Sequence, residues 1–254
     1  MDGEMELVIG DGLIGKNLYY YLRKFGDVVL TTRKEVDLGK DEWVVPECDT
    51  VYICAAVTKT VECENNPIYS RKVNVENTIK LAGKFKKVVW ISSERVFDGS
   101  IGYRKKEDIV CPTTEYGMQK AEAEEILLDM GASVIRFSKV LGYRVDLFDT
   151  WIKLLENGEV IHPYSDMGMA PIPVELAVNA LYRVSRNGTG LYQLSADRDI
   201  PYHRIAYHIC NQMGKDMELV QPVESGSPHP NTTLESDFDS PNAWDVIHEW
   251  WRCR

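Results

Sequence analysis

ELVIGDGLIGKNLYYYLRKF, residues 6–25 of a 254-residue chain, decides how the rest is read. Glu6 to Ile9 is a short run of buried-strand type, Gly10-Asp11-Gly12-Leu13-Ile14-Gly15 follows without a break, and Leu13 to Phe25 has helical spacing. G-x-G-x-x-G has a physical meaning in that setting. Glycine permits the tight turn, lets the backbone close on a pyrophosphate and lets helix and strand pack, while the helix N-terminus turns N–H groups toward the phosphates. A glycine-rich turn without a ligand is the bland alternative, and the strand before and helix after argue against it.

Outward from this stretch, apolar runs alternate with amphipathic ones, the pattern of an α/β protein with a doubly wound, Rossmann-type parallel sheet. Strands are predicted at Glu6 to Ile9, Val28 to Thr31, Thr50 to Ala55, Val88 to Ser92, Ser133 to Phe137 and Leu191 to Leu194. Helices are predicted at Leu13 to Phe25, Tyr69 to Phe85, Glu115 to Met130, Phe148 to Asn157, Val174 to Val184, Tyr202 to Met213 and Ala243 to Arg252.

The run KVVWISSERVFDG at Lys87 to Gly99 ends its apolar part at the hydroxyl pair Ser92 and Ser93. Further on, EYGMQKAEAEEILLDM places Tyr116 and Lys120 four residues apart, on one face of a helix. A neighbouring ammonium favours a phenolate and lowers a tyrosine pKa from about 10, and a hydroxyl such as Ser93 can hold a reacting oxygen. The same spacing also suits an ordinary amphipathic helix.

With TTRKEVDL at 31–38, CAAVT at 54–58, VNVENTIKLA at 73–82, ISSERVFDG at 91–99, EYGMQKAEAE at 115–124, IRFSKVLG at 135–142 and a weaker HPNTTLES at 229–236, the chain resembles the extended short-chain dehydrogenase/reductase family. The branch it resembles is that of the dTDP-4-dehydrorhamnose reductases. The resemblance implies a catalytic triad of Ser93, Tyr116 and Lys120. It implies cofactor contacts from Gly10, Gly12, Leu13, Ile14, Arg33, Lys34, Asp37, Leu38, Cys54, Ala55, Ala56, Thr58, Asn74 and Ser92, with Tyr116 and Lys120 added, and substrate contacts from Ser93, Glu94, Val96, Tyr116 and Lys139. It further implies a dinucleotide-binding core over 1–141, completed by about 169–195, and a small substrate-binding lobe from 142–168 and 196–254. Family loops generally run G-x-x-G-x-x-G, so the loop here is one residue shorter; Lys139 stands where the rhamnose reductases usually carry Trp, and there it either meets an anionic group of the substrate or points to solvent.

The second strand ends in Thr31-Thr32-Arg33-Lys34 with no acidic residue at its tip. An acid there would accept from the ribose 2′-hydroxyl of NAD, whereas cations meet the 2′-phosphate of NADP. NADP(H) is therefore expected ahead of NAD(H), which could still serve; a solvated Arg33 and Lys34 is the other reading. A formal net charge of -10 argues against nucleic acid as a partner. With no apolar tract of membrane length and an N-terminus running straight into a strand, no membrane and no signal peptide are expected, hence a cytoplasmic protein, for which a homodimer is possible. Six scattered cysteines without C-x-x-C spacing predict reduced thiols and no metal.

The expected activity is NADP(H)-dependent reduction of a nucleotide-activated 4-keto deoxysugar, with hydride passing from nicotinamide to the keto carbon and Tyr116 giving the proton. A nucleotide-sugar epimerase or dehydratase on the same scaffold is the first alternative. Dehydratases of this scaffold usually show Asp-Glu after the active-site hydroxyl, where this chain has Glu94-Arg95. The second alternative is a non-catalytic NADP-binding regulatory subunit, like that of methionine adenosyltransferase.

Overall fold

The computed structural model describes residues 5–226 and 229–254; Met1 to Glu4, which entered the leader reading, lie outside them. In chain order the first half gives β1 (Glu6–Ile9), α1 (Leu13–Leu22), β2 (Val28–Thr31), β3 (Thr50–Ile53), α2 (Thr60–Asn65), α3 (Pro67–Arg71), α4 (Asn77–Ala82), β4 (Val88–Ser93), α5 (Glu115–Asp129) and β5 (Ser133–Phe137). There follow β6 (Lys139–Leu141), α6 (Asp146–Glu156), β7 (Gly168–Met169), β8 (Pro171–Pro173), α7 (Val174–Asn187), β9 (Gly190–Leu194), β10 (Ile200–Pro201), α8 (Tyr202–Gln212) and α9 (Ala243–Arg252). The chain divides into two compact units. One holds the described residues up to Asp98 with Lys106–Phe137 and Val174–Leu194; the other holds Gly99–Lys105, Ser138–Pro173 and Ser195–Arg254.

The larger unit is a six-stranded parallel sheet in the order β2-β1-β3-β4-β5-β9. Its inner strands are apolar on both faces, as a sheet covered by helices on both sides requires. Because side chains alternate along a strand, Leu7, Ile9, Val51, Ile53, Val88, Trp90 and Val134 share one face with Val73, Leu81, Ala123 and Leu127 from the helices around α4 and α5. The opposite face, through Val8, Tyr52 and Val89, meets α1 and α7. There Tyr52 donates to Ser185 Oγ at 2.9 Å, and buried Glu6 accepts from Arg186 at 3.0 Å.

One long helix was expected over Tyr69 to Phe85, and the chain builds a broken one that begins earlier. α2 stops at Asn65; Pro67 starts α3 at its first position, where a missing N–H costs nothing, and Asn66 Oδ1 caps it by accepting from Tyr69 N. A π-helical turn over Lys72–Glu76 then joins α3 to α4. Such a turn carries one extra residue and re-aims side chains, here burying Asn74 at 1% exposure.

In the smaller unit β6 pairs with β8 and β10 with β7, so the division of the chain falls after Phe137 and before Val174. Phe148 of α6 stacks on Trp151 at 5.5 Å and meets Trp250 of α9 edge-on at 4.9 Å. The Asn-Thr-Thr run has a structural task here: Thr232 and Thr233 each give backbone N–H and hydroxyl to the carboxylate of Asp199. No described helix is long and apolar enough to cross a membrane.

Candidate active site

Strand order reverses beside β1, with β2 on one side and β3 on the other, and the loops leaving the C-terminal ends of these three strands open one groove. This is the position at which open α/β sheets bind ligands. The groove encloses about 200 Å³ and is lined by Gly10, Asp11, Gly12, Arg33, Val36, Asp37, Leu38, Cys54, Ala55, Ala56, Val57, Tyr69 and Val73. Eight of these, namely Gly10, Gly12, Arg33, Asp37, Leu38, Cys54, Ala55 and Ala56, were named from the sequence as cofactor contacts. Leu13, Ile14, Lys34, Thr58, Asn74 and Ser92 were also named and are not among the lining.

The glycine loop of this groove has the build that a pyrophosphate requires. Gly10 has φ +101°, and a Cβ on it would lie 2.8 Å from Ala55 N; a Cβ on Gly15 would lie 1.9 Å from Gly10 O. Only glycine lets strand, loop and helix close so tightly. At Gly12 a Cβ would meet nothing within 4 Å, so the loop is open there. Gly12 caps α1 without any side-chain bond to the helix, leaving first-turn N–H groups for phosphate oxygens.

Asn74 serves the groove from behind. Its Oδ1 accepts from Val57 N at 2.8 Å, and its Nδ2 donates to Val57 O at 2.9 Å and to Gln119 Oε1 at 2.8 Å. With the amide spent in this way, Asn74 fixes the 54–58 loop through its backbone. Gln119, buried at 1%, passes the connection on to Ser70 and Glu115. Gln119 escaped the sequence reading because a glutamine between Tyr116 and Lys120 on a helix carries no signal of its own.

The parallel register brings the candidate chemistry to the C-terminal end of β4. Lys120 Nζ donates to Ile91 O at 2.8 Å, lies 4.2 Å from the centre of the Trp90 ring and 5.8 Å from that of Tyr116. Thr114 caps α5 by accepting from Gly117 N, which fixes the turn carrying Tyr116. Ser93 Oγ donates to Glu94 Oε2 at 2.7 Å and accepts from Arg95 N at 3.2 Å. Glu94 in turn faces Arg95 Nε at 3.4 Å.

Electrostatics here differ from the sequence expectation. Burial, followed by the negative charge of Glu94, raises the Tyr116 pKa, and the hydrogen bond with Ser93 opposes the rise. Burial also lowers Lys120 to about 7, against the pull of Glu124. A Lys120 cation holding the phenol low was expected. The phenol instead stays protonated at neutral pH, because both groups are desolvated together.

Among the expected substrate residues, Glu94 lies on the 3₁₀ turn after β4, and Val96 on the same turn is fully buried with its carbonyl accepting from Cys111 N. Ser92 Oγ is buried without a hydrogen bond among the described residues. Lys139 is exposed on β6 in the smaller unit. The described residues hold no cluster of side chains suited to a metal ion, and the cysteines are free thiols. Burial pushes the Cys54 thiol up to about 12, so this groove residue is not a nucleophile near neutral pH.

A doubly wound sheet with a dinucleotide groove at its switch point and a Tyr-x-x-x-Lys helix beside β4 defines the extended short-chain dehydrogenase/reductase class, an NAD(P)-dependent oxidoreductase architecture. Within it, residues 5–233 match the RmlD substrate binding domain model, and the chain belongs to that family. It is 26% identical over 263 residues to the probable low-salt glycan biosynthesis reductase Agl14 of Haloferax volcanii, covering 92% of this chain and 84% of that protein. The β subunit of methionine adenosyltransferase 2 from Bos taurus is 35% identical over 97 residues, covering 35% of this chain and 28% of the subunit. In fold, the chain superposes on the dTDP-4-dehydrorhamnose reductase of Bacillus anthracis, solved in complex with NADP, with a TM-score of 0.85, 19% identity and 99% coverage of both chains.

Proposed function

We propose that this protein is an NADP(H)-dependent reductase of a nucleotide-activated 4-keto deoxysugar, able to use NAD(H) as well. The observation that carries the reading is the placement, in one unit, of a glycine-closed dinucleotide groove and of a buried Tyr116 and Lys120 at the end of the neighbouring strand β4. Family membership, the reductase relative in glycan synthesis and the NADP-bound structural neighbour support the same reading.

A bound nicotinamide cofactor would supply the hydride for the keto carbon. The chain's own residues then have defined tasks. Tyr116, held neutral by burial, carries the proton that the carbonyl oxygen needs as it becomes an alcohol. Ser93, hydrogen-bonded to Glu94 and close enough to Tyr116 to act on its phenol, orients that oxygen. Lys120, fixed by the Ile91 carbonyl and the Trp90 ring, offers an ammonium beside the phenol and to a nicotinamide ribose. A proton given up by Tyr116 leaves a phenolate, which that ammonium would stabilise as it forms. The first alternative, an epimerase or dehydratase, needs a further acid/base pair.

The test is consumption of NADPH, followed at its absorbance, against a panel of 4-keto nucleotide sugars. Stoichiometric reduction of one of them is the expected result. Tight NADPH binding with no turnover on any member would favour a regulatory subunit, and sugar conversion without net NADPH loss would favour an epimerase.

A further inference from the structure

The groove contains, at the end of β2, a polar cluster that the reaction does not use. Arg33 follows β2, its side chain is 72% exposed, and an exposed arginine ordinarily samples many rotamers. Here two groups hold it. Its Nη2 donates to the hydroxyl of Tyr69, and its Nε faces Asp37 Oδ1 at 3.4 Å. All three residues line the same groove.

Tyr69 is itself fixed from two sides. Asn66 caps α3 through the Tyr69 N–H, and Gly39 leaves room for the ring, since a Cβ there would come within 3.0 Å of Tyr69 Cε2 and its hydroxyl. A guanidinium has five N–H donors in a fixed fork, so two anchors on Nε and Nη2 set the plane of the whole group. Nη1, which has no hydrogen bond among the described residues, is thereby left as a donor of fixed direction on a residue that lines the groove.

We propose that Tyr69 is a positioning residue for cofactor choice: its hydroxyl holds Arg33 in the orientation that receives a phosphate on the adenosine ribose. This rests on the assignment of the groove to NADP(H). A phosphomonoester rewards an oriented guanidinium, whereas the free hydroxyl of NAD(H) gains little from it, so Tyr69 acts on the ratio of the two affinities.

The test measures NADPH and NADH dissociation constants by fluorescence quenching for the unaltered protein, Tyr69→Phe, Arg33→Met and the double variant. Phenylalanine keeps the ring in the groove and removes the hydroxyl. Tyr69→Phe is expected to weaken NADPH binding by about threefold to tenfold, the range of one lost hydrogen bond, with NADH binding and Tm unchanged. On the Arg33→Met background the same substitution is expected to do nothing further. If Arg33→Met collapses the preference and Tyr69→Phe leaves it intact, the positioning role is overturned while the cofactor assignment stands. An equal loss for both cofactors in Tyr69→Phe would also overturn it, since the hydroxyl would then merely shape the groove. If Arg33→Met leaves the preference untouched, the cofactor assignment itself fails and the proposal falls with it.

Discussion

The two halves of α5 treat buried charge in opposite ways. In the first half Lys120, 3% exposed, has a carbonyl and an aromatic ring as neighbours and no ion pair among the described residues. One turn later Glu124 meets Arg136 of β5, both nearly fully buried, in a forked pair with Nε at 3.1 Å from each carboxylate oxygen and Nη2 on Oε1. Arg136 is completed by Gln193 Oε1 at 3.0 Å and by the Phe97 ring. A buried charge matched by its opposite is static and ties helix to sheet. A buried charge without that match is held near its titration point, and such groups concentrate where chemistry is done.

The sharpest way to separate the halves is to remove one oxygen from the first. Tyr116→Phe is expected to lower turnover by about 10²–10⁴, roughly 3–5 kcal/mol of transition-state stabilisation, with Tm and cofactor affinity kept. A saturated variant reducing its substrate at the original rate would make the first half as structural as the second.

In the second half the expected loss is in stability. Arg136→Met leaves Glu124 buried and unpaired, which costs about 3–5 kcal/mol, read by urea denaturation. Replacing both partners, Arg136→Met with Glu124→Leu, is expected to recover much of that loss, since no charge then remains buried. A double variant as unstable as the single one would show that the pair holds α5 by more than charge compensation.

The smallest effect is a pH dependence that belongs to Lys120. Its pKa is about 7 in the folded protein against an ordinary 10.5, so between these values the unfolded chain binds the extra proton. Stability therefore rises with pH across that window, and below pH 7 the full penalty of a buried ammonium is present. From pH 6 to pH 8 the gain is about 1 kcal/mol. Lys120→Met is expected to lose this slope in the cofactor-free protein, and parallel pH profiles for the two proteins would contradict it.

The large sheet was legible because a strand buried on both faces is written as a continuous apolar run, as in Leu7 to Ile9 and Val88 to Ile91. β6, β7, β8 and β10 were not, since two or three residues are too few to show any period. The earlier start of the helix expected from Tyr69 had a visible sign in Asn66-Pro67, a cap followed by a first-position proline, whereas its break is the π-helical turn over Lys72–Glu76, inside an unbroken apolar periodicity.

By itself the sequence determined the α/β class, the glycine loop after β1 and the pairing of Tyr116 with Lys120 on one helix, because each is set by neighbours a few residues apart. Only the tertiary structure decided that the phenol stays protonated, that Asn74 is spent on the Val57 backbone, and that Tyr69 reaches Arg33 from 36 residues away. Those outcomes depend on desolvation and on partners supplied by other elements, and neither quantity exists until the chain has folded.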